Sequence, residues 1–169
     1  FAGLLGLLQG VARDAKRPWL SAFGIGWWFG AGFHIAGLHW IANALLIDWS
    51  RVGWMIPFAV FGLSGFLALF AGAAALAVWR VGPAGLAGVC FLAVAWTLAE
   101  IARGVLFTGF PWNLIATVWT ETAPVLQLAS IGGAYGLSAL SVALFALPAT
   151  LRWRPILAGA GALVVAVGF

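Results

Sequence analysis

The chain has 169 residues, of which 64% are hydrophobic and 7% are charged, and its mean hydropathy is +1.11. A water-soluble domain has about 25% charged residues, so this composition excludes a fully water-facing surface and indicates an integral membrane protein. The net charge of +4 comes from eight Lys and Arg residues scattered at segment ends, which excludes a polybasic surface for nucleic acid. A single cysteine, Cys90, excludes an internal disulfide and a cysteine-ligated metal site, and no cofactor is expected.

The chain opens with an apolar run, 1–12, that is shorter than the roughly 20 residues needed to span a bilayer. Charged residues follow this run at 13–17, the opposite order to a signal peptide, so we interpret the run as the end of a truncated helix. The uncharged stretch 19–38 is long enough for a membrane helix. Within it, Gly26 and Gly30 predict the close approach of a neighbouring helix.

Two histidines lie toward the far end of this predicted helix, and a tryptophan-rich segment follows them. Five positions separate His34 from His39, so the two do not share a helix face well. We expect both to be polar tips near the lipid headgroups, with a role as ligands or proton carriers as the alternative. Because tryptophan is favoured at the bilayer interface, segment 39–54 is predicted to be an interfacial loop or a short surface helix.

The rest of the chain alternates uncharged runs with short polar breaks. A second interfacial loop is predicted at 103–127, and Gly132 and Gly136 again indicate close helix packing. Cys90 falls in mid-span, where a thiol is inert. The fold is predicted to be all-α, a polytopic transmembrane bundle of about six helical segments with the first and last truncated, in one domain, 1–169. The remaining predicted helical runs are 54–79, 83–102, 128–151 and 155–169.

The distribution of basic residues predicts the orientation of the bundle. If every span crosses, three segments that hold six of the eight Lys and Arg residues lie on one side. The positive-inside rule places these segments, 13–17, 80–82 and 152–154, in the cytoplasm. The tryptophan-rich loops 39–54 and 103–127 are then periplasmic, and the last apolar run points outward.

Two charged residues interrupt an otherwise apolar helix pattern, at Glu100 and Arg103. On a helix, the spacing of Trp96, Glu100, Arg103 and Phe107 puts them on one face. Neither charge is tolerated alone beside hydrocarbon, so a functional site is the default hypothesis. Two interpretations remain open: a structural ion pair that fixes helix packing, or an anion-attracting pocket in which Arg103 holds a phosphate or carboxylate headgroup.

A turn with two aromatic residues, Gly109-Phe110-Pro111-Trp112, follows this helix. Pro111 pushes the preceding residue out of the helical region, so the helix cannot continue through it. The bend is predicted either to shape an entry for acyl chains or to anchor the chain at the interface. The candidate substrate-binding residues are therefore Glu100, Arg103, Gly109, Phe110, Pro111 and Trp112. No catalytic residue is predicted, because the sequence shows no nucleophile–base pattern, phosphate loop or metal-ligand spacing.

Two stretches of the sequence resemble the membrane part of bacterial apolipoprotein N-acyltransferases. One is WTLAEIARGVLFTGFPWN at 96–113, in which R-G-x-x-F-T-G-F-P-W is the most specific string. The other is FGIGWWFGAGFHIAGLHWI at 23–41. The resemblance extends over most of the chain, and the helix count and orientation agree with it.

The resemblance implies a bundle of inner-membrane helices with a nitrilase-like domain inserted on the periplasmic side, after a helix that would end near Phe169. It implies transfer of an acyl chain from a phospholipid donor to the N-terminal diacylglyceryl-cysteine of an apolipoprotein, through a thioester on a Glu-Lys-Cys triad. No position matches that triad, since Glu100, Lys16 and Cys90 lie at different depths and outside such a domain. The chain is therefore expected to be inactive alone, with the nitrilase-like domain absent.

Two other functions are compatible with the sequence. A small transporter or channel subunit would use Glu100 and Arg103 to line a path, although no convincing inverted repeat is present. A similar membrane domain is also found attached to a polyprenol-phosphate mannose synthase, and the sequence does not separate that arrangement from the acyltransferase.

Overall fold

The computed structural model describes residues 1–14 and 16–152, so the predicted run 155–169 and most of segment 152–154 lie outside the described residues. Within the described ranges the chain is helical and contains no strand, which confirms the all-α prediction. The α-helices there are α1 (Ala2–Gly10), α2 (Pro18–Leu38), α3 (Ile41–Leu46), α4 (Trp49–Val52), α5 (Leu63–Val81), α6 (Gly85–Val105), α7 (Ala123–Leu126) and α8 (Ala129–Ala146).

Among the described residues, three helical stretches are long and apolar enough to cross a membrane: Trp49–Val81, Gly85–Val105 and Ala129–Thr150. The first joins α4 to α5 through a 3₁₀ turn and a π-helical turn that follows Pro57, a residue without the N–H needed for regular helical bonding. Helix α2 has 21 residues but does not reach the same hydropathy. The tryptophan, glycine and histidine residues of α2 lower its mean hydropathy. It is the packing of α2 along α5, and not its hydropathy, that shows it to be part of the bundle.

Helix α2 packs along α5 at a contact that depends on two glycines. A Cβ atom added to Gly30 would lie 2.5 Å from the Cβ of Ala71 and 3.2 Å from the Cα of Ala68. A Cβ atom on Gly26 would lie 2.7 Å from the backbone oxygen of Ala71. The predicted role of Gly26 and Gly30 in close helix approach is therefore confirmed, and α5 is the partner helix.

Replacing Gly30 with alanine is expected to destabilise the bundle, because the new methyl group meets the backbone of α5. Overpacking of this kind costs about 1–3 kcal/mol. Gly32→Ala is the matched control, since nothing lies within 4 Å of a Cβ at Gly32 and alanine favours a helix. The midpoint of thermal unfolding, followed by tryptophan fluorescence, should fall for Gly30→Ala alone, and equal midpoints would contradict the packing described.

The predicted packing role of Gly132 and Gly136 is not observed among the described residues, where nothing lies within 4 Å of a Cβ placed at either glycine. Helix α8 instead has an irregular residue between them, Gly133, with φ 67° and ψ −176°. Because these angles favour glycine, the glycines here accommodate a kink in place of a helix contact.

Arg13 and the end of α5 meet at one end of the bundle. Arg13 Nη2 donates to the backbone oxygen of Trp79 at 3.0 Å, and its guanidinium lies 5.4 Å from the centre of that indole ring. The indole Nε1 in turn donates to the backbone oxygen of Val11 at 3.2 Å. Helix α1 also contacts the 3₁₀ turn Leu147–Arg152. These described parts of the chain therefore lie together at the end opposite the two tryptophan-rich loops.

Candidate functional site

The candidate site forms around the last two turns of α6, where Glu100 and Arg103 are each only 3% exposed. Both charged residues face the interior of the bundle. The helix continues to Val105 and ends because Leu106 is extended, with φ −81° and ψ 152°. Arg103 is therefore a helical residue. The loop, predicted at 103–127, begins about three residues later than predicted.

Arg103 binds the backbone of the loop that follows its own helix. Its Nη1 donates to the backbone oxygen of Trp112 at 2.7 Å, and its Nη2 donates to that of Asn113 at 3.4 Å. The backbone N–H of Phe110 donates to the backbone oxygen of Arg103 at 2.8 Å. The guanidinium is thus enclosed by the chain and holds the loop, in place of lying open to a lipid headgroup.

Glu100 binds the next part of the same loop. Its Oε1 accepts a hydrogen bond from the backbone N–H of Ile115 at 2.9 Å and one from Trp96 Nε1 at 3.3 Å. Ile115 starts the 3₁₀ turn Ile115–Trp119, so the carboxylate satisfies an N–H that the turn leaves without a partner. Among the described residues, Oε2 has no hydrogen-bond partner. Arg103 donates to Trp112 and Asn113 and not to either carboxylate oxygen, so the direct ion pair, one of the two interpretations left open by the sequence, is not observed.

Phe107 does not share the helix face on which it was predicted. It lies beyond the end of α6, has a φ of 52°, and is 74% exposed. Its ring packs edge-on against that of Phe66, with ring centres 5.5 Å apart. The spacing argument fails because the helix ends two residues earlier.

The turn after α6 has an uncommon backbone, with positive φ at Phe107, Thr108, Gly109 and Asn113. Each non-glycine residue in this region costs about 1–3 kcal/mol, and the conformation persists only because the surrounding structure imposes it. Gly109, at φ 82°, is the position that needs glycine, since a Cβ there would collide with the backbone oxygen of Gly104. The turn leaves Gly109 and Phe110 half-buried and exposes Pro111 and Trp112.

Two serines of α8 hold the end of this loop, and the sequence analysis missed both. Ser138 Oγ accepts from the backbone N–H of Ala116 at 3.1 Å. Ser141 Oγ accepts from Trp119 Nε1 at 2.7 Å and donates to the backbone oxygen of Leu137 at 2.7 Å. Two hydroxyls three residues apart share a helix face, and this spacing in an apolar span is a signal that would have indicated them.

His34 is the other residue that the sequence analysis misplaced. It is 3% exposed and lies inside the bundle, where it lines a small cavity together with Glu100 and Arg103. The expectation of a polar tip near the headgroups is wrong for His34. His39, in contrast, is exposed, and its Nδ1 is 2.7 Å from the backbone oxygen of Ala36. His34 continues the four-residue spacing of Gly26 and Gly30, so the packed face of α2 would have revealed it.

The fold and this site define an all-α membrane-helix domain with a buried polar cluster at the end that carries the tryptophan-rich loops. The family model described as "Apolipoprotein N-acyltransferase N-terminal domain" matches residues 1–147. The chain belongs to the apolipoprotein N-acyltransferase family. This assignment confirms the resemblance that the string at 103–112 indicated.

Curated relatives named "Apolipoprotein N-acyltransferase" align with nearly the whole chain. The protein from Allorhizobium ampelinum is 40% identical over 158 residues, which cover 91% of this chain and 30% of the relative. That from Brucella suis is 42% identical over 89% of this chain and 29% of its own length. The protein from Caulobacter vibrioides is 41% identical over 99% of this chain and 31% of its own length. The chain thus spans about three-tenths of these relatives. No solved structure matches it.

Proposed function

We propose that this chain, 1–169, is the membrane domain of an enzyme that transfers an acyl chain from a phospholipid to the N-terminal diacylglyceryl-cysteine of apolipoproteins. The match of residues 1–147 to the family carries this proposal. Its relatives are about three times longer, and we place the Glu-Lys-Cys chemistry in a nitrilase-like domain outside this chain. On this view the chain is inactive alone and serves to hold that domain against the bilayer.

In this proposal the turn 109–112, whose last two residues are exposed, borders the path of the lipid, and the two charged residues of α6 hold this turn in position. Trp112 is 63% exposed while its backbone oxygen is held by Arg103. Glu100 fixes the next segment through Ile115. An exposed aromatic ring on a backbone that is held in place suits contact with an acyl chain or a lipid-bearing cysteine. Arg103 and Glu100 are therefore positioning residues, and Gly109 to Trp112 form the surface that meets substrate.

We further propose that the protein lies in the bacterial inner membrane with loops 39–54 and 103–127 in the periplasm and the basic segments in the cytoplasm. The contact of Arg13 with Trp79, at the end opposite both loops, supports a common side for the basic segments. Labelling of single cysteines introduced at Ile47, which is 88% exposed, and at Lys16 would test the sides. If the cysteine at position 47 is modified only after the cells are lysed, the orientation is the reverse of the one proposed.

The activity itself is tested with the protein encoded by the complete reading frame, placed in nanodiscs that contain a phospholipid with an isotope-labelled acyl chain. A diacylated lipopeptide is the acceptor, and mass spectrometry follows the mass of its N-terminus. The expected product has one labelled acyl group on the terminal amine. A folded, inserted protein that produces no acylated peptide would overturn the proposal.

Replacing Trp112 with alanine is expected to raise KM for the lipid substrate about tenfold with little change in thermal stability, because one indole contact with an apolar ligand is lost. Trp49→Ala is the matched control, since Trp49 is 64% exposed on the other loop. Initial rates at varied phospholipid content measure the effect. An unchanged KM for the Trp112 variant would remove this residue from the proposed site.

A further inference from the structure

Two buried polar residues on different helices, His34 and Glu100, line one small cavity between α2, α5 and α6. Among the described residues, His34 Nδ1 and Glu100 Oε2 have no hydrogen-bond partner, although each residue is only 3% exposed. Both residues line the cavity, as does Arg103, and the rest of its wall is formed by apolar side chains and the indole of Trp96. Buried polar groups in native proteins are almost always bonded, so these two atoms point to a missing partner.

The size of the cavity limits what that partner is. The volume open to water is about 10 Å³, which is room for about one water molecule and too little for a headgroup or an acyl chain. A water also needs two to four polar partners, and this wall supplies three polar residues. We propose that the cavity binds one water molecule, hydrogen-bonded to both His34 Nδ1 and Glu100 Oε2.

The hydrogen-bonding capacity of the three groups is matched in this arrangement. Glu100 Oε2 accepts one hydrogen bond from the water, since the other carboxylate oxygen already accepts hydrogen bonds from Ile115 and Trp96. The water then either donates its second hydrogen bond to an unprotonated His34 Nδ1 or accepts a hydrogen bond from a protonated one, so both tautomers can be bound. The apolar part of the wall offers no competing partner.

The water connects α2 to the loop that follows α6. From His34 the path runs through the water to Glu100, and from its Oε1 to the N–H of Ile115 at 2.9 Å. His34 thus becomes a residue that helps to position the 3₁₀ turn, without contacting it. This inference does not depend on the proposed function, because it concerns the ground-state structure of the bundle.

A structure of the protein encoded by the complete reading frame, in nanodiscs and at a resolution that shows ordered waters, tests the site directly. The expected result is a density peak about 2.7–3.2 Å from both His34 Nδ1 and Glu100 Oε2. A direct hydrogen bond between the two side chains, or a cavity without density, would overturn the proposal.

A double-mutant cycle provides a measurement in solution. His34→Phe and Glu100→Ala each remove one partner of the bound water, so their effects on stability overlap. The unfolding equilibrium constant of the double variant should therefore favour the folded state about fivefold more than the two single effects together predict. The control cycle pairs His39→Phe with Glu100→Ala and should be additive within about twofold. Additive behaviour in both cycles would contradict a shared water, and the structure of the unsubstituted protein decides the case in which a variant does not fold.

Discussion

Replacing Glu100 with alanine is expected to lower the midpoint of thermal unfolding by about 5–15 °C. The change leaves the N–H of Ile115 and the indole N–H of Trp96 buried without the acceptor that now lies 2.9 and 3.3 Å away. Each unsatisfied donor costs about 1–3 kcal/mol. It also removes the carboxylate one turn from the buried guanidinium of Arg103, which leaves that charge uncompensated.

The accompanying variants separate the hydrogen bonds from the charge. Glu100→Gln retains one acceptor oxygen and should fall between the unsubstituted protein and Glu100→Ala. Glu121→Ala removes an exposed carboxylate from the same loop and should change the midpoint by less than about 2 °C. Differential scanning fluorimetry on the purified protein in nanodiscs gives all three values. Equal midpoints for Glu100→Ala and Glu121→Ala would show that the carboxylate does not hold the loop.

The sequence was sufficient to predict the helices because length and polarity decide where a chain can cross a bilayer. The predicted span 83–102 corresponds to the observed helix Gly85–Val105, and 128–151 corresponds to Ala129–Thr150. The close approach at Gly30 was also predictable, since the lack of a side chain at this spacing has one main structural use. These features depend on local composition, which can be obtained from one sequence.

The site was predictable in its location but not in its bonding. The rare charges at Glu100 and Arg103 indicated the right helix end, yet both side chains bind backbone groups of a loop 9–15 residues further along the chain. The spacing of side chains on a helix does not indicate which residues of the following loop will fold back against that helix. The loop folds back against α6 through positive φ values at residues that include Phe107 and Thr108. Phenylalanine and threonine do not favour such φ values. Tertiary contacts impose them.

Gly109 is the residue of this turn that no other amino acid can replace without strain, so Gly109→Ala is expected to disrupt the loop. Its φ of 82° costs an L-residue about 1–2 kcal/mol. The collision of the new methyl group with the backbone oxygen of Gly104 adds about 1–3 kcal/mol, because a backbone atom cannot move aside as a flexible side chain does. Trp112 and the rest of the proposed substrate surface would shift with it.

The disruption should be greater in the loop than in the bundle, and this difference distinguishes a local from a global effect. Gly24→Ala is the control, because Gly24 is helical and nothing lies within 4 Å of its Cβ position. We expect faster proteolysis between positions 106 and 114, and at least a tenfold loss of acylation, for Gly109→Ala alone. If its proteolysis pattern and activity match those of Gly24→Ala, the left-handed turn does not shape the site. The helices should remain inserted in both variants, since neither substitution alters the length or the hydropathy of a span.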